Sequence, residues 1–221
     1  DLVFINFMDG TGDININAGV TGLRGFIRDL LNGPQYRDDK TEESILVGAS
    51  MGGIITRHVL TSMEQAGEEH FVKMWFSFDA PQAGASIPLG LQHAITFLSN
   101  MPCYEIPKLI SARWQFRQGK EIVNTIAAKQ MLVSHYASTD GEGKPAPEFV
   151  LYNELNSKGI NHDGYPVYSK NFAISNGGKT KLYENNHQQI LDIKANDFSF
   201  VCALLTGCLT NPYWFHAKAW G

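Results

Sequence analysis

The chain has 221 residues, 43% of them hydrophobic and 18% charged, with a formal charge of −4. That composition suits one sizeable core and excludes an intrinsically disordered chain; the charge balance leaves no footprint for nucleic acid, and no lysine–arginine block suggests an anionic membrane surface. No window reaches the roughly 18 apolar residues that a spanning helix needs, since the longest run, "FSFVCALLTGCLT" from Phe198, is followed by Asn211-Pro212.

In chain order, "DLVFINF" (Asp1–Phe7) is apolar, β-branched and aromatic, which predicts a strand, closed by the turn-rich "MDGTGD". From Ala18 to Leu31, apolar residues recur at three and four positions and predict one helix, stopped by Asn32-Gly33-Pro34. "SILVG" reads as a second strand, and Gly53 to Met63 as a helix with Ile54, Ile55, Val59 and Leu60 inward. "FVKMWFSF" (Phe71–Phe78) is a third strand, followed by the irregular "DAPQAGASIPLG". Leu91 to Tyr136 has helical spacing broken at Pro102 and Pro107, Thr139–Pro147 reads as a surface loop, and "KNFAIS" as a fourth strand ended by Asn176-Gly177-Gly178. Tyr213–Ala219 predicts a strand in the tail. Apolar strands alternating with helices predict an α/β fold with a mostly parallel sheet covered by helices on both faces.

One stretch carries chemistry. Gly48-Ala49-Ser50-Met51-Gly52 fits G-x-S-x-G between an apolar strand and an amphipathic helix. A serine on a strained strand-to-helix turn projects its Oγ from the carboxyl end of the sheet, and its neighbours two residues away must be small. The N–H of the next residue, Met51, would help bind an oxyanion. A plain glycine turn is the alternative reading. "GASMGGIITRHVL" resembles the elbow of α/β-hydrolases, in particular the lipase-like and GPI-inositol-deacylase-like branch. The resemblance to bacterial members of that superfamily extends through "FSFDAPQAGASIPLGLQ", "AAKQML" and "NFAISNG". It implies an α/β-hydrolase-like domain over 1–221, incomplete at both ends, with a serine esterase-type site and a helical insertion, 91–137, after the strand that follows the elbow. Many relatives carry His where this chain has Gln82, which bears on fine specificity more than on chemistry.

A serine nucleophile needs a histidine and a carboxylate that orients it, in the chain order Ser, acid, His for this fold. Asp79, at the end of the strand after the elbow helix, is the candidate acid; capping the loop at Gln82 or Ala83 is its other reading, and Asp192 and Asp197 are later alternatives. His187, in "ENNHQQ" after the fourth strand, is the candidate base by chain order, with an exposed loop histidine as the alternative. His58 and His70 precede the acid, His93 and His135 fall in the helical insertion, His162 lies in a loop, and His216 in the tail. The chain opens on Asp1 without an initiator Met and stops within an expected strand, so it reads as processed or as a piece of a longer protein. The base and the second oxyanion donor are then expected outside it, with "MDGTGD" as the internal alternative for the donor.

"AISNGGKT" (Ala173–Thr180) nearly matches a phosphate-binding loop but lacks its first glycine and a following amphipathic helix. Asp9, Thr11, Asp13 and Asn15 alternate as in a calcium loop, yet Val20 stands where the bidentate Glu belongs, and a hydrogen-bonded turn explains them. Gly10 and Gly12 lack the third glycine of a dinucleotide fingerprint. No metal or cofactor is therefore expected, and Cys202 and Cys208 either pair or remain thiols. The expected activity is hydrolysis of an ester through an acyl-enzyme on Ser50. The substrate is a small molecule or lipid with an apolar group that the insertion would roof, ordinary helical packing being the alternative for that segment. The rival readings are a non-catalytic hydrolase-like module of a larger assembly and an acyltransferase with the same nucleophile.

Overall fold

The computed structural model describes residues 2–31, 33, 43–100, 107–139, 145–147, 150–175, 189–195 and 215–220. They fall in two units: unit 1 comprises Asp1–Ala85, Thr125–Val133 and Pro147–Gly177, and unit 2 comprises Ser86–Asn124, Ser134–Ala146 and Gly178–Gly221.

Unit 1 begins differently from expectation. Leu2–Phe7 forms no strand, and Leu2, Val3 and Phe4 are exposed; apolar character alone makes no strand without a neighbour to pair with. The helix expected from Ala18 is instead broken. Asp13 caps α1 (Ile14–Ala18) by accepting from Asn15 N–H at 2.8 Å, which starts the helix early. The chain then turns through Gly19 and Gly22 before α2 (Leu23–Gly25) and a π-helical turn, Phe26–Leu31. A Cβ on Gly22 would lie 2.1 Å from Asn17 O, so the turn at that point is closed to any other residue.

The centre is β1 (Ser44–Ala49), α3 (Met51–Gln65) and β2 (Val72–Phe78). Helix α3 starts and ends two residues beyond expectation at either side. Its Ile54, Ile55, Val59 and Leu60 are all fully buried, each worth about 1.5–3 kcal/mol. Ile54, Ile55 and Val59 meet Ile14, Ala18, Leu23 and Ile27 from the N-terminal helices, Ala127 from α6 (Ile126–Met131), and Leu151, Tyr152 and Leu155 from α7 (Val150–Ser157), whereas Leu60 meets Val72 and Trp75 of β2. The sequence reading did not foresee α7, although Leu151, Tyr152 and Leu155 stand at helical spacing.

Strand β5 (Lys170–Ile174) completes a three-stranded parallel sheet in the order β1-β2-β5, after β3 (Ser134–Thr139) and β4 (Pro145–Pro147), a small separate pair within the expected surface loop and its approach. The α/β class and the parallel sheet are as expected. Within unit 1, among the described residues, α3 covers one face of the sheet, packing against β1 and β2. On the other, Ile45, Val47, Phe78 and Ile174 are exposed among the described residues, and Phe76 stacks on Phe172 with ring centroids 4.8 Å apart.

In unit 2, α4 (Leu89–Ser99) packs on α5 (Pro107–Val123), and buried Gln92 ties α4 to β3 by donating to Ser134 O at 3.0 Å and accepting from Tyr136 N–H at 3.0 Å. Helical spacing was expected to run to Tyr136, but the chain turns to strand at Ser134. β6 (Gln189–Ala195) and β7 (Phe215–Trp220) pair antiparallel, the latter close to the strand expected in the tail. No helix among the described residues is long and apolar enough to cross a membrane.

Candidate active site

Ser50 sits between β1 and α3 with φ 50° and ψ −124°. A positive φ is costly for a side chain bearing a Cβ, and it persists only where the surroundings impose it. Two backbone hydrogen bonds do so here: Ser50 N–H donates to Phe78 O on the neighbouring strand at 2.9 Å, and Ser50 O accepts from Gly53 N–H at 3.0 Å. A serine in this position before a helix ordinarily bonds the N–H groups of the first turn. Ser50 does not, because its backbone points the side chain elsewhere, so the hydroxyl is exposed and free of a capping bond. Met51 opens the helix, and its N–H is among the first four that have no carbonyl partner within the helix.

The glycines divide into tight and open positions. A Cβ on Gly48 would lie 2.4 Å from Gly52 O, and one on Gly53 would lie 2.5 Å from Ala80 Cβ. A Cβ on Gly52 would meet nothing within 4 Å. The demand for smallness therefore falls on Gly48 and Gly53, whereas the motif places it on Gly48 and Gly52.

Asp79 stands one step past the end of β2, at the same sheet edge as Ser50, and it too has a positive φ, 45°. Its N–H donates to Ile174 O at 2.7 Å, while Gln82 N–H turns back to Ala80 O at 2.8 Å. The loop that follows Asp79 is braced from beneath. Gln82 donates through Nε2 to Ser77 Oγ at 2.8 Å and accepts at Oε1 from Arg57 Nη1 at 3.3 Å, so both ends of its amide are engaged inside the fold. Tyr152 donates its hydroxyl to Pro81 O at 2.8 Å, and burial pushes its pKa up to about 12. Arg57 and Tyr152 had no part in the sequence reading. The available signal was a charged residue at position 57, three residues beyond Ile54 and so on the helix's apolar register.

The histidines of unit 1 lie away from that edge. His58, two turns along α3 and buried, has Nε2 3.6 Å from Glu154 Oε1 and Nδ1 3.4 Å from Ser62 Oγ. Burial, followed by the nearby Lys158 ammonium, holds its pKa below the ordinary value. His70 precedes β2 and bonds Glu64 at 3.2 Å, and His162 lies in the loop that enters β5, its Nδ1 3.2 Å from Ser157 O. Within unit 2, buried His135 accepts at Nδ1 from Ala137 N–H at 3.2 Å, and His93 meets the Tyr136 ring edge-on. His187 and Asp197 lie outside the described residues, as do most of "AISNGGKT" and both Cys202 and Cys208; Asp192 and His216 lie on β6 and β7.

The "MDGTGD" stretch is a hydrogen-bonded turn: Asp9 Oδ1 accepts from Thr11 N–H and hydroxyl, and Asp13 Oδ1 accepts from Asn15 N–H and Gln130 Nε2. No group of three or more metal-ligating side chains occurs among the described residues. Comparison with protein-family models, with curated proteins and with solved structures gave no match to this chain.

Proposed function

We propose that the chain carries the nucleophile of an α/β-hydrolase-like serine esterase. Ser50 Oγ attacks the acyl carbon of an ester while its proton passes to an imidazole; the Met51 N–H helps hold the tetrahedral oxyanion. Collapse expels the alcohol, which takes up that proton, and water then releases the acid from the acyl-enzyme. Asp79 orients the imidazole, for which His187 is the candidate by chain order. The single observation that carries the reading is the backbone of Ser50: a strained positive φ at an exposed strand-to-helix turn, with a hydroxyl left uncapped. Strain of this kind is maintained where exposing the side chain matters. A fluorophosphonate probe tests it. The native chain should be labelled, the Ser50→Ala variant and the heat-denatured chain should not, and label retained by Ser50→Ala would end the proposal.

One observation favours a second reading, a hydrolase-like module without catalysis. The three histidines of unit 1 engage Glu154, Glu64 and Ser157, away from Ser50. That reading expects a native, folded chain that takes no fluorophosphonate at all.

A further inference from the structure

Arg57 is fully buried, yet among the described residues no carboxylate pairs with it. A buried guanidinium without a counter-ion is costly unless its donors are satisfied, and here they are satisfied by three separate segments. Nε donates to Gly164 O at 2.6 Å, Nη2 to Asn156 Oδ1 at 2.8 Å, and Nη1 to Gln82 O at 3.1 Å and Oε1 at 3.3 Å. The Tyr165 ring lies against the guanidinium, 4.1 Å from its carbon to the ring centroid. Gly164, with φ 80°, has no room for a Cβ, which would lie 2.4 Å from Nη2. The guanidinium thus joins the helix that follows Ser50, the loop that leaves Asp79, and the end of α7 with the loop after it.

We propose that Arg57 is a positioning residue for the candidate site: through Gln82 it fixes the path of the chain leaving Asp79 and so holds the turn that bears that carboxylate next to the turn that bears Ser50. Asp79 needs such a device. Its positive φ is a conformation the chain abandons unless the segments on both sides hold it. The preceding side is held by the bond from Asp79 N–H to Ile174 O. The following side is held at Gln82 by Arg57 and at Pro81 by Tyr152. The role of Arg57 at the site rests on the esterase reading; its role as the brace of the loop does not.

Two measurements on the full chain separate these. Arg57→Lys keeps the charge but loses the fork that reaches three segments at once. Hydrogen exchange should rise by about tenfold or more in the 79–85 peptide of Arg57→Lys, with 53–63 unchanged. Fluorophosphonate labelling should fall by about tenfold or more. Added to Asp79→Asn, however, Arg57→Lys should cause no further fall, because its effect passes through Asp79. If Arg57→Lys does not fold, Gln82→Ala carries the same two tests. Unchanged exchange across 79–85, or an equal fractional loss of labelling with and without Asp79, overturns the proposal. A native chain that takes no label speaks against the esterase reading, and exchange alone then upholds or overturns the brace.

Discussion

Ser50 and Asp79 stand side by side at one edge of the sheet, each a single step past its strand. Ala49 pairs with Phe78 in register, Ser50 N–H donates to Phe78 O at 2.9 Å, and the two residues have φ of 50° and 45°. Neighbouring parallel strands run about 4.8 Å apart, so the hydroxyl-bearing and carboxylate-bearing turns are adjacent. Two strained non-glycine residues at adjacent strand ends make this edge conformationally expensive.

That cost is measurable. Ser50→Gly should be more stable than Ser50→Ala by about 1–3 kcal/mol, since glycine adopts the same backbone without a Cβ clash. Asp79→Gly should show the same sign. Urea denaturation of the variants checks both, and a Ser50→Gly no more stable than Ser50→Ala would remove strain from the account.

The glycines around the serine should separate in the same assay. Gly48→Ala forces its Cβ against the Gly52 carbonyl, and Gly53→Ala forces its Cβ against Ala80, so each should lose about 1–3 kcal/mol. Gly52→Ala, with open space around it and a helical backbone, should gain about 0.5–1 kcal/mol. A destabilised Gly52→Ala would show that the turn is tighter than its geometry implies.

What the sequence made legible here was local. The run Ser44 to Leu60 encodes its strand, its turn and its helix by period and glycine placement, and the β2 strand is equally plain from its aromatic and β-branched residues. Ser50 and Asp79 follow from those elements, since each is a strand end. The brace was not legible, because Arg57, Gln82, Tyr152 and Gly164 lie up to 107 residues apart and meet only through tertiary packing. Leu2–Phe7 misled for a related reason: strand character was read from side chains, while a strand is made by pairing. The break of the first helix followed from Gly22, whose close backbone approach to Asn17 no periodicity count registers.

Buried His58 makes stability depend on pH. Its pKa is lowered in the fold, first by burial and then by Lys158, against the weaker pull of Glu154. The unfolded chain, with an ordinary value near 6.5, therefore binds more protons in the window below it. The contribution of neutral His58 is fully present above pH 6.5 or so and is lost as pH falls toward the lowered folded value. Urea midpoints should decline from pH 7.5 to 5.5 in the native sequence and decline less in His58→Gln. Parallel slopes in the two chains would show that another group carries the dependence.

The Glu64 carboxylate is the anchor by which α3 receives the chain entering β5. Its side chain is fully buried, and its oxygens accept from Val167 N–H at 3.0 and 2.9 Å and from Tyr168 N–H at 2.9 Å. His70 completes the cluster. Its Nδ1 accepts from Val72 N–H at 2.9 Å, which leaves the proton on Nε2, and Nε2 lies 3.2 Å from Glu64 Oε1. One carboxylate thus satisfies two backbone donors ahead of β5 and an imidazole whose other nitrogen caps the start of β2. Glu64→Gln removes the charge and exchanges Oε2 for an amide donor that faces Val167 N–H, leaving Oε1 to serve Val167, Tyr168 and His70. It should cost about 2–4 kcal/mol, the range for breaking a charged, buried hydrogen-bond set. His70→Gln, which leaves the carboxylate bonded to Val167 and Tyr168, should cost less. Urea denaturation ranks the two variants, and a Glu64→Gln within about 0.5 kcal/mol of the native sequence, the scatter of surface substitutions, would show that β5 is seated by packing alone.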